Sequence, residues 1–226
     1  MSKSHNSHEN KAITSVPSSF YNTIHLDDAL VDPEVYRDLL LLLRRGAPGD
    51  TNHFLINSPG GDVGLALGIG SALAAGSGHN IMEITGTCAS AATFIFLQGD
   101  EFLINEHASF MVHTASFGAG GSVPHVVDYV NHTRLQISNL MHKTYKDFMT
   151  VEEIEQALDG KEFWFLSEEL GERLQKRADL RKAASEKENL EHALKEQKEL
   201  DAYVATRLEQ AVDNSKQPSV DPEPED

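Results

Sequence analysis

Two short apolar runs in this chain each end in a turn of small residues and then pass into a helical pattern. The run HFLIN at 53–57 precedes the turn SPGGD, and the run at 80–85 precedes the turn GTCAS, which ends at Ser90. A fully buried strand of a parallel sheet has such an apolar run, and a helix must return the chain to the next strand. The repeated pattern therefore predicts βαβ units.

The remainder of the apolar region continues this alternation. Further strands are expected at 22–26, 101–104 and 110–113, and further helices at 33–45, 63–75 and 124–148. Asp32 before Pro33 is typical of a helix start, and Thr150 with Glu153 is the pattern of a capping box for one more helix. These elements together predict a fold of the α/β class.

Composition divides the 226-residue chain into four zones. Residues 1–19 are polar and predict a mobile arm, whereas residues 20–178 hold nearly all the large apolar residues and predict the folded domain. Residues 179–212 contain no glycine or proline and predict one charged helix. Residues 213–226 combine three prolines with five acidic residues and predict a disordered acidic tail.

Charge and motif content exclude several classes of protein. The chain has 19 Lys+Arg against 35 Asp+Glu, a net charge of −16, and no basic residue lies between Arg45 and Arg134. That stretch would repel a nucleic acid or an anionic membrane. Cys88 is the single cysteine, and the HExxH, dinucleotide-binding and P-loop patterns are absent, so neither a metal nor a cofactor is expected.

Two segments bear on the compartment of the protein. The first residues, MSKSHNSHENK, lack the apolar region of a secretory signal. The uncharged stretch 63–82 is interrupted by five glycines and by polar residues, unlike a spanning helix of about 20 apolar residues. We therefore expect a cytoplasmic protein without a membrane span.

Three positions could carry chemistry. Gly60 and Gly61 follow one strand and could aim backbone N–H groups at an incoming oxygen, although a tight turn alone would also explain them. Ser90 lies among small residues at the next strand-to-helix junction, where a nucleophile and a helix N-cap are both natural. His113 ends an apolar strand, either as a base for a nucleophile or as a structural side chain.

Together these segments resemble the Clp protease proteolytic subunit (ClpP) family of serine peptidases. The matching segments are INSPGG at 56–61, then Gly86-x-x-Ala-Ser-Ala-Ala, then Met-Val-His ending at His113, in order and at family-like spacing. The resemblance covers about residues 22–176. It implies a ClpP/crotonase-type spiral of stacked βαβ units with a handle segment, to which this chain adds the charged C-terminal helix.

The resemblance also implies a role for each matching residue. Ser90 would be the nucleophile and His113 the general base, and the backbone N–H groups of Gly61 and Ala91 would form the oxyanion hole. The glycine-rich segment after His113 looks like the part of the handle that pairs with extended substrate. Its glycines, which define the expected substrate strand, are Gly118, Gly120 and Gly121.

The third member of the triad departs from the family pattern. A gapless reading from His113 places Glu162 where the family has Asp, and a glutamate could still orient the imidazole. Asp159 is the runner-up. Both residues could instead be solvated acids near the end of a helix.

The resemblance implies a serine endopeptidase that cleaves unfolded or scaffold proteins inside a homo-oligomeric chamber of stacked rings. The polar arm and the charged tail look more like Clp-type proteases of bacteriophage head maturation, for which the cytoplasm would be that of the host cell. Candidate partners besides peptide substrates are thus a Clp-type ATPase or capsid scaffold proteins.

Two other functions stay open from the sequence. Glu162 in place of Asp keeps open a structural ring or scaffold subunit with impaired catalysis. A crotonase-type acyl-CoA enzyme would share the fold, but the absence of basic residues from 46 to 133 disfavours a site for the phosphates of CoA.

Overall fold

The computed structural model describes residues 19–215, with side chains as far as residue 203. The chain divides into two compact units, the first ending at Leu174 and the second beginning at Gln175. The expected arm lies outside the described residues except for Ser19, as does the expected acidic tail beyond residue 215. Within the described part of the chain, no helix is both long enough and apolar enough to cross a membrane.

The described residues contain six strands and six helices in an alternating order. The strands are β1 Tyr21–Leu26, β2 Thr51–Ser58, β3 His79–Ala89, β4 Glu101–Ile104, β5 Ser109–Val112 and β6 Phe163–Leu166. The helices are α1 Arg37–Arg45, α2 Val63–Ala75, α3 Ala91–Phe96, α4 Val123–Tyr145, α5 Val151–Leu158 and α6 Ser167–Ser215. The α/β class expected from the sequence is confirmed, and α6 is the additional C-terminal helix.

One sheet holds all six strands in the order β1-β2-β3-β5-β6, with β4 also paired to β3. The pairs among β1 to β5 are parallel, and β6 alone runs antiparallel to its neighbour. The long strand β3 pairs with β4 at positions 81–84 and then with β5 at positions 87–89. The carboxyl ends of β2, β3 and β5 therefore meet at one edge of the sheet, where ligands of parallel sheets commonly bind.

A ladder of polar side chains crosses the opposite end of the strands. Asn22 donates to Asn52, and Asn52 donates to Asn80, over 2.9 and 3.0 Å. Asn80 in turn donates to a carboxylate oxygen of Asp100 over 3.3 Å. Because Asn52 and Asn80 are buried, their amides need these partners, and a shift of register by one residue would break the ladder.

Several predicted boundaries change in the structure. The helix expected from residue 33 begins at Arg37, because residues 33–36 form turns and the Asp32 carboxylate accepts from the backbone N–H of Glu34. The helix expected to reach 148 ends at Tyr145. The capping box at Thr150 is confirmed.

The C-terminal part of the chain also differs in its bounds. Strand β6, with the sequence FWFL between Glu162 and Ser167, is not among the strands expected from the sequence. Helix α6 begins at Ser167 rather than 179 and includes residues 213–215, which the sequence assigns to the tail.

An aromatic cluster packs β5 against its neighbours. Phe110 is fully buried, and the centroid of its ring lies 5.6 Å from Phe96, 5.3 Å from Phe148 and 6.3 Å from Phe165. Aromatic pairs at these separations stabilise a core beyond the area that they bury. The cluster fixes the position of β5, which leads directly into His113.

Replacing Phe110 by alanine should therefore lower the free energy of unfolding by about 3–5 kcal/mol, because it leaves a cavity among three other rings. Denaturant unfolding at matched protein concentration measures the change. Leu166→Ala is the control, since Leu166 is 70% exposed on β6 and should cost under about 0.5 kcal/mol. Equal losses in the two variants would contradict a core role for the cluster.

Candidate active site

Ser90 occupies the turn between β3 and α3 in a backbone conformation that L-residues rarely adopt. Its φ is 53° and its ψ is −126°. Such a conformation costs about 1–3 kcal/mol and persists only where the surroundings enforce it. The backbone N–H of Ser90 donates to the carbonyl oxygen of Met111 over 2.9 Å, which continues the pairing of β3 with β5. Ser90 is thus held at the carboxyl edge of the sheet.

His113 follows β5 directly and meets Ser90 across this edge. Its ring atom Nε2 lies 2.7 Å from the Ser90 hydroxyl oxygen. The pairing of Ala89 with Met111 sets this approach, because Ser90 lies one position beyond Ala89 and His113 lies two positions beyond Met111. The structure therefore brings together the two side chains that the sequence suggested as nucleophile and base.

The turn after β2 packs against the same junction. Gly60 has a φ of +89°, and a Cβ there would lie 2.5 Å from the Ala89 carbonyl oxygen and 2.8 Å from the Ala91 nitrogen. A side chain at this position would push the turn away from Ser90. Leu30 fixes the turn from the other side, where its N–H donates to the Gly60 carbonyl and its carbonyl accepts from the N–H of Asp62.

Gly61 is held against the same residue. Its φ is +145°, and a Cβ there would collide with the Leu30 carbonyl group. Gly61 itself remains exposed. The two predicted oxyanion-hole residues, Gly61 and Ala91, thus flank the Ser90 junction on adjacent turns, and their role stays a prediction.

The candidate acids lie near β6. The antiparallel pairing ends with Val112 opposite Phe163, and His113 and Glu162 are the next residues on the two chain segments. The Glu162 carboxylate accepts a hydrogen bond from the Trp164 indole over 3.1 Å. Asp159 is exposed at the C-cap of α5. Among the side chains that the structure describes, neither carboxylate bonds to the His113 ring, so both assignments stay predictions.

A cleft of about 690 Å³ opens beside Gly61. The start of α2 and residues 115–117 line one part of it, and α4 lines another through Ile137 and Leu140. Asp62 is the only charged side chain in its lining, and its carboxylate accepts from the backbone N–H of Leu65. A cleft of this size can hold a side chain of a bound peptide.

The glycine-rich segment forms no strand in the structure. Gly118, Gly120 and Gly121 are exposed between β5 and α4. A segment that pairs with substrate would acquire strand pairing only from the added peptide. Their assignment to substrate binding stays a prediction.

Sequence reasoning missed two residues that contact Ser90 directly or through one hydroxyl. The Thr93 hydroxyl lies 2.6 Å from the Ser90 carbonyl oxygen and 2.7 Å from the Tyr145 hydroxyl. Thr93 follows Ser90 by one helical turn, and this spacing could have indicated the first contact. Tyr145 lies 52 residues further along the chain, so no local pattern indicates it.

The described residues contain no group of three or more His, Cys, Asp or Glu side chains that could hold a metal ion. Burial raises the pKa of the Cys88 thiol well above its usual value, which keeps that thiol neutral. Neither observation adds a reactive group to the Ser90 site.

The carboxyl edge of this α/β sheet thus holds a serine of unusual backbone conformation next to a histidine, as the sequence led us to expect. A family model described as Clp protease matches residues 24–172, which is more than half of the chain. The protein therefore belongs to the Clp protease family, whose members are peptidases that generally form oligomeric rings and act on protein substrates. A search of curated proteins gives no match.

The backbone at Ser90 predicts an order of stability for two variants. The free energy of unfolding of Ser90→Gly should exceed that of Ser90→Ala by about 1 kcal/mol, because glycine adopts a positive φ without the steric cost of a Cβ. Denaturant unfolding of the two variants measures the difference. Both variants lose the hydroxyl, so the lost contact with His113 cancels in the comparison. An alanine variant as stable as the glycine variant would contradict strain at this position.

Proposed function

We propose that the protein is a serine endopeptidase that cleaves peptide bonds through an acyl-enzyme on Ser90. The observation that carries this proposal is the 2.7 Å contact between the Ser90 hydroxyl and Nε2 of His113. A serine hydroxyl is a weak nucleophile alone and needs a base within hydrogen-bond reach. The strained backbone of Ser90 adds support, because strain of this kind clusters at functional sites.

Each step of the reaction has a candidate group. His113 Nε2 takes the hydroxyl proton as Ser90 Oγ attacks the carbonyl carbon of the scissile peptide bond. The backbone N–H groups of Gly61 and Ala91 stabilise the oxyanion of the tetrahedral intermediate. His113 then protonates the leaving amine, and a water molecule activated by His113 hydrolyses the acyl-enzyme and frees Ser90.

We assign Glu162 as the residue that orients His113. The register of β5 and β6 supports this assignment, because one further step beyond the pair Val112 and Phe163 would put Glu162 opposite His113 on the same face. For this role the Glu162 carboxylate would have to leave Trp164 and accept a hydrogen bond from Nδ1 of His113. That contact would fix the tautomer in which Nε2 accepts the serine proton.

The cleft beside Gly61 supports a preference for neutral or basic peptides. Apolar side chains such as Val63, Leu67 and Leu140 line it, and Asp62 is its only charged group. No Lys or Arg lies between Arg45 and Arg134, the stretch that holds Ser90 and His113. The segment with Gly118, Gly120 and Gly121 would bind the extended peptide by main-chain hydrogen bonds, with limited selectivity for side chains.

We also propose that the site is enclosed in a homo-oligomeric ring chamber in the cytoplasm. The ring assembly that is general in the family supports this. If the protein acts in bacteriophage head maturation, the cytoplasm is that of the host cell and its substrates are capsid scaffold proteins. If a Clp-type ATPase stimulates ATP-dependent degradation of unfolded protein by this protein, that ATPase would instead be identified as the partner.

A ring subunit with impaired catalysis is the second candidate function. It is favoured by the bond between Glu162 and Trp164, which leaves the His113 ring without a carboxylate among the described side chains. The two candidates differ in one measurable property, which is the reactivity of Ser90.

Labelling with a fluorophosphonate and hydrolysis of unstructured peptides test the nucleophile. Ser90→Ala should abolish labelling and lower hydrolysis by about 10⁴-fold or more, and His113→Ala should have a similar effect. Ser71→Ala is the matched control, since Ser71 is exposed on α2 and should leave both rates unchanged. Wild-type protein that neither labels nor hydrolyses peptides would favour the ring subunit.

Amide substitutions test the third member of the triad. Glu162→Gln should lower the rate of peptide hydrolysis by about 10²-fold or more, because an amide cannot stabilise the imidazolium. Asp159→Asn should change the rate by less than about threefold, since an exposed surface residue has no such partner. The reverse pattern would transfer the role to Asp159, and two silent variants would contradict a carboxylate-assisted mechanism.

A further inference from the structure

Two buried hydroxyl groups lie in series behind the nucleophile. Thr93 on α3 and Tyr145 at the end of α4 are both fully buried. The Thr93 hydroxyl lies 2.6 Å from the Ser90 carbonyl oxygen, and the Tyr145 hydroxyl lies 2.7 Å from the Thr93 hydroxyl. The catalytic steps proposed above use neither side chain.

The direction of both hydrogen bonds follows from the chemistry of the groups. A carbonyl oxygen only accepts, so the single hydroxyl proton of Thr93 points at Ser90. The Thr93 oxygen must then accept from the Tyr145 hydroxyl. Burial raises the pKa of Tyr145, which keeps its proton in place for this bond. Bonds in such a chain polarise and strengthen each other.

The Ser90 carbonyl group belongs to the same rigid peptide plane as the N–H of Ala91. In a trans peptide these two groups point in opposite directions, and ψ of Ser90 rotates them together. Anchoring the carbonyl oxygen on Thr93 therefore sets the direction of the Ala91 N–H, which is one of the two proposed oxyanion donors. A second donor, the Thr93 backbone N–H at 3.0 Å, holds the same oxygen.

The conformation of Ser90 needs such anchoring. A φ of 53° with a ψ of −126° is unfavourable for serine and relaxes unless neighbours oppose it. The Ser90 N–H is fixed by the Met111 carbonyl, and Gly60 allows close packing from the opposite side. The carbonyl side of Ser90 is fixed by Thr93.

We propose that Thr93 and Tyr145 are positioning residues that aim the Ala91 N–H at the oxyanion. This inference rests on the proposed serine-peptidase function.

Helix α4 also lines the cleft beside Gly61 through Ile137 and Leu140, so one helix contributes both to the wall of the cleft and to the support of the nucleophile.

A threonine in the first turn of a helix often bonds to the carbonyl three residues earlier for structural reasons alone. A purely structural bond would change the stability of the fold and the fraction of active protein. A positioning role would change the rate constant at which the active fraction reacts. The two roles are therefore separable by kinetics.

The test compares Thr93→Val, which removes the hydroxyl at nearly constant volume, with Thr93→Ser, which keeps it. Fluorophosphonate labelling over a range of concentrations separates the maximal rate constant from the half-saturating concentration. We expect Thr93→Val to lower the maximal rate constant by about tenfold or more, less than the 10²–10³-fold typical for loss of a whole oxyanion donor. The half-saturating concentration should not change, and Thr93→Ser should react within about threefold of wild type.

The pH dependence of labelling supplies a second readout. The midpoint of the pH profile reports the environment of the general base, so it should stay at the wild-type value in Thr93→Val while the plateau falls. A shifted midpoint would mean that the substitution disturbs the histidine, and it would overturn the inference.

Thr93→Val leaves the Tyr145 hydroxyl buried without its partner and can impair folding for that reason. The double variant Thr93→Val/Tyr145→Phe removes both polar groups, and circular dichroism and thermal unfolding check its fold. It should label as slowly as Thr93→Val. If the folded double variant labels at the wild-type rate, this inference is overturned and the proposed function is not affected. If the wild-type protein does not label, the proposed function is overturned and this inference with it.

Discussion

The positive φ of Ser90 is the constraint around which the neighbouring segments are arranged. A serine leaves this conformation unless its N–H, its carbonyl and its Cβ are all restrained. In this protein the end of β5, the first turn of α3 and the glycine turn after β2 each restrain one side of it. The parallel pairing of β2, β3 and β5 is what brings these three segments to one edge of the sheet.

The parts of the fold that the sequence predicts are those determined by local patterns. Apolar runs and glycine turns indicate β2, β3 and the helices that follow them, and the capping box indicates α5. Ser90 and His113 could be selected because each lies where a strand ends. Their 2.7 Å contact depends on the pairing of β3 with β5. From the sequence, only the resemblance to the ClpP family suggested that the two side chains act together.

The parts that the sequence does not predict depend on tertiary contacts. Strand β6 is as short as β4 and β5, and it forms because it pairs with β5 and packs Phe165 into the aromatic cluster. The support of Ser90 by Tyr145 requires α4 to return to α3, and no spacing in the sequence encodes that return. Which acid faces His113 depends on the register of β6, a strand that the sequence does not predict. The sequence therefore leaves both Glu162 and Asp159 as candidates.

The strained serine has a consequence for how function could be lost. Substitution by glycine would relieve the backbone and remove the proposed nucleophile in a single step, so a protein under no selection for catalysis would gain stability by losing the hydroxyl. A serine at this position therefore gives the protein a lower free energy of unfolding than a glycine would. The proposed role of Ser90 beside His113, rather than the stability of the fold, would account for a serine at this position.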